Sequence, residues 1–169
     1  MAVPPRFGDA GLSIHHGFEP GDLGMLIHIH GVQNRKDYGF DAQHEAYCAR
    51  IACDFMLNPT PGRSRVWLVK KDGVVAGSVF VSDLADGRAQ LRLLFVDDAL
   101  RGLGLGRWLV EEAVRYGREA GFTSMFLWTV DGLDRALSIY RDCGFTLAQT
   151  KDNQDWGRRS RELRFDLRY

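Results

Sequence analysis

Charge of either sign is what this sequence lacks in excess: 22 Lys and Arg stand against 22 Asp and Glu. The balance also holds locally, with 8 basic and 9 acidic residues up to Leu84 and 14 and 13 after it. A surface that attracts nucleic acid or anionic lipid without regard to sequence is therefore not indicated. Cysteine is scarce too. Cys48, Cys53 and Cys143 are odd in number and show neither C-x-x-C nor Cys/His ligand spacing, so no disulfide framework and no metal site is expected, and a reducing cytoplasm is. No apolar run approaches the roughly 20 residues that span a bilayer, and MAVPPRFGDA lacks the basic-then-apolar pattern of a secretory leader. No internal repeat or low-complexity stretch is present.

What the chain has is 169 residues, 45% hydrophobic and 26% charged, enough to bury a core in one domain. We expect a tail over residues 1–10 and a single domain over 11–169. The stretch from Ala89 to Gly121 organises the rest. Leu91, Leu93, Leu94, Phe95 and Val96 form a short apolar run ahead of Asp97 and Asp98, the pattern of a buried strand ending at a turn. Gly102, Gly104 and Gly106 follow, alternating with Leu103 and Leu105. Leu105, Leu109, Val110, Ala113 and Val114 then fall at helical spacing up to Gly121. Glycines between a strand end and a helix start let backbone amides converge where the helix dipole favours a phosphate. The common dinucleotide fingerprint fails, because Arg107 stands where the third glycine belongs. The triphosphate P-loop fails too, because Gly106 precedes Arg107 and Trp108.

The remaining chain divides into short periodic segments. A strand is expected over Leu12–Phe18, then a turn whose Asp22 caps a helix over Leu23–Val32, with QNRKDYGF as a polar loop. A second helix over Asp41–Leu57 places Ala42, Ala46, Ala49, Cys53 and Met56 near one face and stops at Asn58–Gly62. Val66–Lys71 and Val74–Ser82 read as a hairpin around Asp72-Gly73, and Asp86-Gly87 turns into the central strand. A strand over Ser124–Val130 should lie parallel to that strand. A helix over Leu133–Asp142 and closing strands over Phe145–Thr150 and Glu162–Leu167 complete an α/β order of β-α-α-β-β-β-α-β-α-β-β.

Arg101, Gly104 and Gly106 satisfy R-x-x-G-x-G, and Ala136, Tyr140, Gly144 and Phe145 satisfy A-x-x-x-Y-x-x-x-G-F. Together these resemble the GNAT superfamily of N-acyltransferases, over about Leu12 to Tyr169. LRLLFVDDALRGLGLGRWLVEE and LWTVDGLDRALSIYRDCGF look most like the acetyltransferase half of bacterial MarR–GNAT fusion proteins, whose winged-helix half has no counterpart here. The resemblance implies a mixed sheet with helices on both faces, in which two parallel central strands splay. It also implies an acyl-CoA substrate, most simply acetyl-CoA, held without a metal. Leu94, Phe95 and Val96 would pair with the pantetheine arm. Arg101, Gly102, Leu103, Gly104, Leu105, Gly106 and Arg107 would surround the pyrophosphate, with Arg101 ordering the loop and Arg107 the weaker contact.

Tyr140 shares helical register with Ala136, Ile139 and Cys143, which permits plain packing. The resemblance makes it the acid that protonates the leaving thiolate. The asparagine frequent in the family stands here as Leu133. Some relatives carry a glutamate base on the central strand, yet Gln90–Val96 has no carboxylate. His28, His30, His44, Glu45, Tyr38 and Tyr47 lie in the region that lines the amine-acceptor pocket of relatives, and a water relay is the alternative base. The arginines at 158, 159, 161, 164 and 168 are interleaved with Asp155, Glu162 and Asp166 and read as a solvated strand and loop. The expected function is an acetyl-CoA-dependent N-acetyltransferase acting on an amine of a small molecule or protein, in a chain that can form a homodimer. The rival is a non-catalytic acyl-CoA-binding regulatory module.

Overall fold

The computed structural model describes residues 4, 7, 11–58 and 63–169. A seven-stranded sheet runs β1-β2-β3-β4-β5-β7-β6. Its strands are β1 (Leu12–His15), β2 (Arg65–Lys71), β3 (Val74–Asp83), β4 (Arg88–Val96), β5 (Ser124–Val130), β6 (Thr146–Asn153) and β7 (Ser160–Arg168). Helices α1 (Asp22–Tyr38) and α2 (Ala42–Leu57) connect β1 to β2. Helix α3 (Leu105–Glu119) joins β4 to β5, and α4 (Asp134–Asp142) joins β5 to β6. The element order is the expected one. Every neighbouring pair is antiparallel except β4 and β5, which are parallel across their helix connection.

Two apolar clusters sit on opposite faces of the sheet. One joins Trp67, Val79, Leu91 and Met125 to Leu105, Leu109 and Ala113 of α3 and Leu137 of α4. The other joins Val66, Leu68 and Phe80 to Leu26 of α1 and Ala52 of α2. Each fully buried Val, Leu, Met or Phe among them stabilises the fold by about 1.5–3 kcal/mol before entropy is counted. Phe7, within the expected tail, packs edge-on against Trp108 at 6.0 Å and is 1% exposed. The Pro59–Gly62 stop lies outside the described residues.

Several local expectations are corrected. Helix α1 does not stop at Val32: the stretch expected as loop is its last turn and a half, ended by Gly39, whose φ is 72° and whose N–H bonds to Arg35 O at 2.9 Å. Asp22 is not its cap. Gly21 occupies that position without a side-chain bond, while the Asp22 carboxylate accepts from Glu19 N at 2.8 Å and meets the buried Lys70 ammonium at 2.9 Å. In α2 the buried face is Cys48, Ile51 and Ala52, rotated from the alanine face expected. Alanines carry too little area to decide which side turns inward, whereas Ile51 does not.

Strand β4 carries the feature that shapes the site. Ser78 pairs with Phe95 but Phe80 pairs with Arg92, so β4 has one residue more than β3 across this interval. Leu93 takes the irregularity with φ 47°, a left-handed conformation uncommon for leucine. Consequently Leu91, Leu94 and Val96 pack on the α3 and α4 side, while Leu93 packs on the α1 and α2 side. The fully buried Ser78 hydroxyl donates to Leu93 O at 2.7 Å and holds the bulge. Ser78→Ala should therefore cost about 1–3 kcal/mol in denaturant unfolding, the penalty for a carbonyl losing its buried donor. Unchanged stability would mean that the bulge is fixed by packing alone.

Candidate functional site

The register of β4 with β5 runs from Arg88 against Ser124 to Leu91 against Leu127. Beyond that point β5 continues alongside β7 to Val130, and β4 follows its bulge toward β3. The strands part at their carboxyl ends, and two hollows meet at the opening.

The larger is a cleft of about 860 Å³. One wall is the end of β4 (Leu94, Phe95, Val96). A second is the loop from Leu100 to Arg107, a third the end of α1 (Gln33, Asn34, Asp37, Tyr38), and the last the start of α4 (Leu133 to Ile139). The loop is built locally. Asp97 accepts from Ala99 N at 2.8 Å and starts a 3-10 turn over Asp98–Leu100. Gly102 and Gly104 then take φ 84° and 81°, with nothing within 4 Å of the position an added Cβ would occupy. Gly104 caps α3, no side chain bonds to that cap, and no acid sits in the first turn. The amides of Leu105, Gly106 and Arg107 are thus unspent by the helix, whose Trp108 N–H bonds to Gly104 O at 3.0 Å. These residues fit a pyrophosphate.

Of the cofactor residues expected from sequence, all but Leu103 line this cleft; Leu103 is 49% exposed. Arg101 is already engaged, at 2.5 Å to Asp37 and 2.6 Å to Asp98. It therefore orders the loop against α1, and Gln33 adds bonds to Val96 O (3.3 Å) and Asp98 (2.9 Å). Arg107 pairs with Asp142 across α3 and α4. Leu133 lines the cleft and precedes α4 without a capping bond.

The second hollow, about 140 Å³, lies under α1 and α2 and shares Asn34 and Leu94 with the cleft. His30, His44, Tyr47, Arg92, Trp128, Trp156 and Glu162 line it together with Tyr140. Tyr140 is 5% exposed, and burial, then nearby Tyr38, raises its phenol above the usual range. Helix α4 thus borders the cleft through Ala136 and Ile139 and the cavity through Tyr140. Burial, then His44, pushes His30 down to about 3, and burial likewise lowers His44 to about 4. Burial pushes the Cys48 thiol up to about 12, so it is no nucleophile at neutral pH.

The expected acceptor residues separate. His30 lines the cavity, whereas Tyr38 lines the cleft. His28 is exposed, two residues from His30 and so on the far side of α1. Glu45 is exposed and lies over α1, close enough that a Cβ added to Gly31 would come within 2.1 Å of its Oε2; neither lines a hollow. Arg92, Glu162, Trp128 and Trp156 were not anticipated. Arg92 had a signal, being the one charge inside an apolar strand. Trp156 had none, since it arrives from the β6–β7 loop with φ 67° and reaches His44 at 4.9 Å and Tyr47 at 5.3 Å. Of the carboxyl-terminal arginines, Arg158 bonds to Tyr38 O at 3.1 Å and Arg164 to Asp166 at 2.7 Å.

A mixed sheet parted after a bulge, with a glycine loop at the mouth of the opening, is the architecture of the acyl-CoA N-acyltransferases. The sequence model of the Acetyltransferase (GNAT) family matches residues 27–145, and the chain belongs to that family. An uncharacterized N-acetyltransferase of Schizosaccharomyces pombe is 36% identical over 83 residues, 47% of this chain and 51% of that protein. The chain spans about half the length of the curated relatives it matches. Among solved structures, a ribosomal-protein-alanine N-acetyltransferase from Brucella melitensis superposes with a TM-score of 0.72 at 19% identity, over 93% of this chain and 99% of that one. The spermidine N-acetyltransferase of Vibrio cholerae, in complex with CoA and spermine, gives 0.69 at 18% identity, over 94% and 95%. These likenesses establish the fold.

The two histidines generate a pH prediction. Their folded values lie below the ordinary 6.5, so the unfolded chain takes up protons first. The stability they contribute is complete above 6.5 and is lost as pH falls toward 3. For His30 the loss between pH 8 and pH 5 is about 2 kcal/mol. Urea unfolding at the two pH values should show a drop that much larger in wild type than in His30→Leu; equal drops would mean that His30 is not held neutral.

Proposed function

We propose that the chain is an acetyl-CoA-dependent N-acetyltransferase that transfers the acyl group directly to an amine. The observation that carries this reading is the meeting of cleft and cavity at the parted strands, where Asn34 and Leu94 border both. Acetyl-CoA supplies the thioester. The free amides at the start of α3 and the open glycines hold its pyrophosphate, and main-chain groups of Leu94, Phe95 and Val96 pair with its pantetheine arm. The cavity presents the amine to the carbonyl carbon, where the C–N bond forms and the C–S bond breaks. Tyr140 donates to the departing sulfur, and the ammonium proton leaves through water, since neither histidine is basic enough to take it. No protein thiol takes part. In the same reading the domain is akin to the acetyltransferase half of bacterial MarR–GNAT fusion proteins and works in a reducing cytoplasm, which suits three free cysteines.

Isothermal calorimetry with acetyl-CoA, followed by a thiol-release screen over amines, tests the proposal. Binding with no thiol release over a broad screen would make the chain a regulatory acyl-CoA-binding module. Gly104→Val places a branched side chain in the cradle at φ 81° and should weaken acetyl-CoA binding at least tenfold in a folded protein; wild-type affinity would remove the loop from phosphate binding. Tyr140→Phe keeps the ring and should lower kcat on the order of a hundredfold with little change in acetyl-CoA affinity. An unchanged kcat, with chemistry rate-limiting, would leave water as the proton source.

A further inference from the structure

The cavity is lined by two charged side chains, and they are in opposite situations. Glu162 is neutralised within the fold. Asn153 Nδ2 donates to its Oε1 at 2.8 Å, and the Lys151 ammonium lies 3.1 Å from its Oε2. Arg92 is not neutralised. Its Nη2 donates to the neutral Gln90 Oε1 at 2.5 Å, its Nε is buried without a partner, and no carboxylate among the described residues lies within 4.0 Å of it. Burial holds its pKa below the usual guanidinium range, with Tyr47 and Asp54 acting against that shift and Arg50 adding to it, none of them as an ion-pair partner. A half-buried guanidinium without a counter-ion is costly unless something else supplies the charge. The bulge at Leu93 follows Arg92 immediately, so this cation stands beside the place where the strands part.

The rest of the lining is apolar or uncharged. Phe40, Trp128, Tyr47 and Trp156 supply ring surface, and both histidines are neutral at pH 7. A polyamine or a lysine side chain would set a second positive charge next to Arg92 and find no free carboxylate. We propose that the acceptor is a small amino-carboxylate, an α-amino acid with an apolar or aromatic side chain. Arg92 takes its carboxylate and so directs the neighbouring amine toward the parted strands. Guanidinium and carboxylate match as a two-bonded pair, which fixes orientation as well as charge. The inference rests on the acetyltransferase reading.

The experiment is a thiol-release comparison of matched acceptors with the wild-type protein: L-phenylalanine against phenethylamine, L-leucine against isoamylamine, and each amino acid against its amide. Acetyl-CoA binding is followed separately by calorimetry. The expected result is a kcat/KM at least about a hundredfold higher for the free amino acid, the scale of a buried charge pair. In Arg92→Gln that ratio should collapse, chiefly through KM, and Arg92→Lys should restore part of it. If the protein binds acetyl-CoA but prefers decarboxylated amines, amides, spermidine or a lysine peptide, or turns over none of the amino acids, the inference is overturned. The wild-type ratios decide this even where a variant fails to fold. Absence of acetyl-CoA binding would overturn the acetyltransferase reading instead.

Discussion

The parting of β4 from β5 is the constraint on which the rest of the molecule depends. Backbone groups that leave a sheet in the middle of a protein must find other partners, because a buried unpaired amide or carbonyl costs about as much as a lost hydrogen bond. Here Ser78 takes the carbonyl of Leu93 at the bulge, and Gln33 reaches from α1 to the carbonyl of Val96. Between those two anchors the strand still pairs with β3, while its β5-facing edge pairs with no strand among the described residues. The extension of α1 to Tyr38 has the same origin: Gln33, Lys36 and Asp37 are the residues that stitch the helix to the β4–α3 loop through Asp98 and Arg101. Their polarity belongs to a helix end that faces another segment.

Most of the architecture was legible because its signals are local. Asp72-Gly73, with φ 50° and 83°, makes the hairpin that its dipeptide announces. The apolar run before Asp97 and the glycines after it place the cleft where the sequence says. What sequence reasoning missed depends on contacts between distant segments. Val32 looked like a helix end because the next residues are polar, and their partners lie more than 60 positions away. The face of α2 was mistaken because its alanines are periodic but small. Glu45 and His28 carry the right chemistry on the wrong sides of their helices, while Glu162 and Trp156 reach the cavity from strands and loops at the far end of the chain.

The two hollows use charge differently. In the cleft, Arg101 and Arg107 are spent on carboxylates, so in the proposed reading an anion would fall to the amides and dipole of α3, which need no side chain to be ordered. In the cavity the histidines are discharged by burial and Glu162 is neutralised, which isolates Arg92 as the uncompensated charge. A ring-lined pocket of this kind, used as an acceptor site, would select by charge at one end and by shape elsewhere.

The same dielectric bears on the proton given to sulfur. In water a phenol near 10 is a weaker acid than a thiol near 8.5, and burial weakens Tyr140 further, so transfer to a solvated thiolate would run uphill. In the proposed reaction the thiolate would depart beside a phenol that is itself buried. Cys48, which lines the same cavity, shows what this environment does to sulfur, since burial carries its thiol to about 12. Burial disfavours the charged form of a thiol and of a phenol alike, so the gap between two such acids depends on their hydrogen bonds as well as on their intrinsic order. In the proposed reaction Tyr140 would act by donating a hydrogen bond as the C–S bond lengthens, and would complete the transfer only to the extent that water is kept from the sulfur. The rings of Phe40, Tyr47 and Trp156 pack together beside the cavity, and in the proposed reaction they would limit the water that reaches the sulfur.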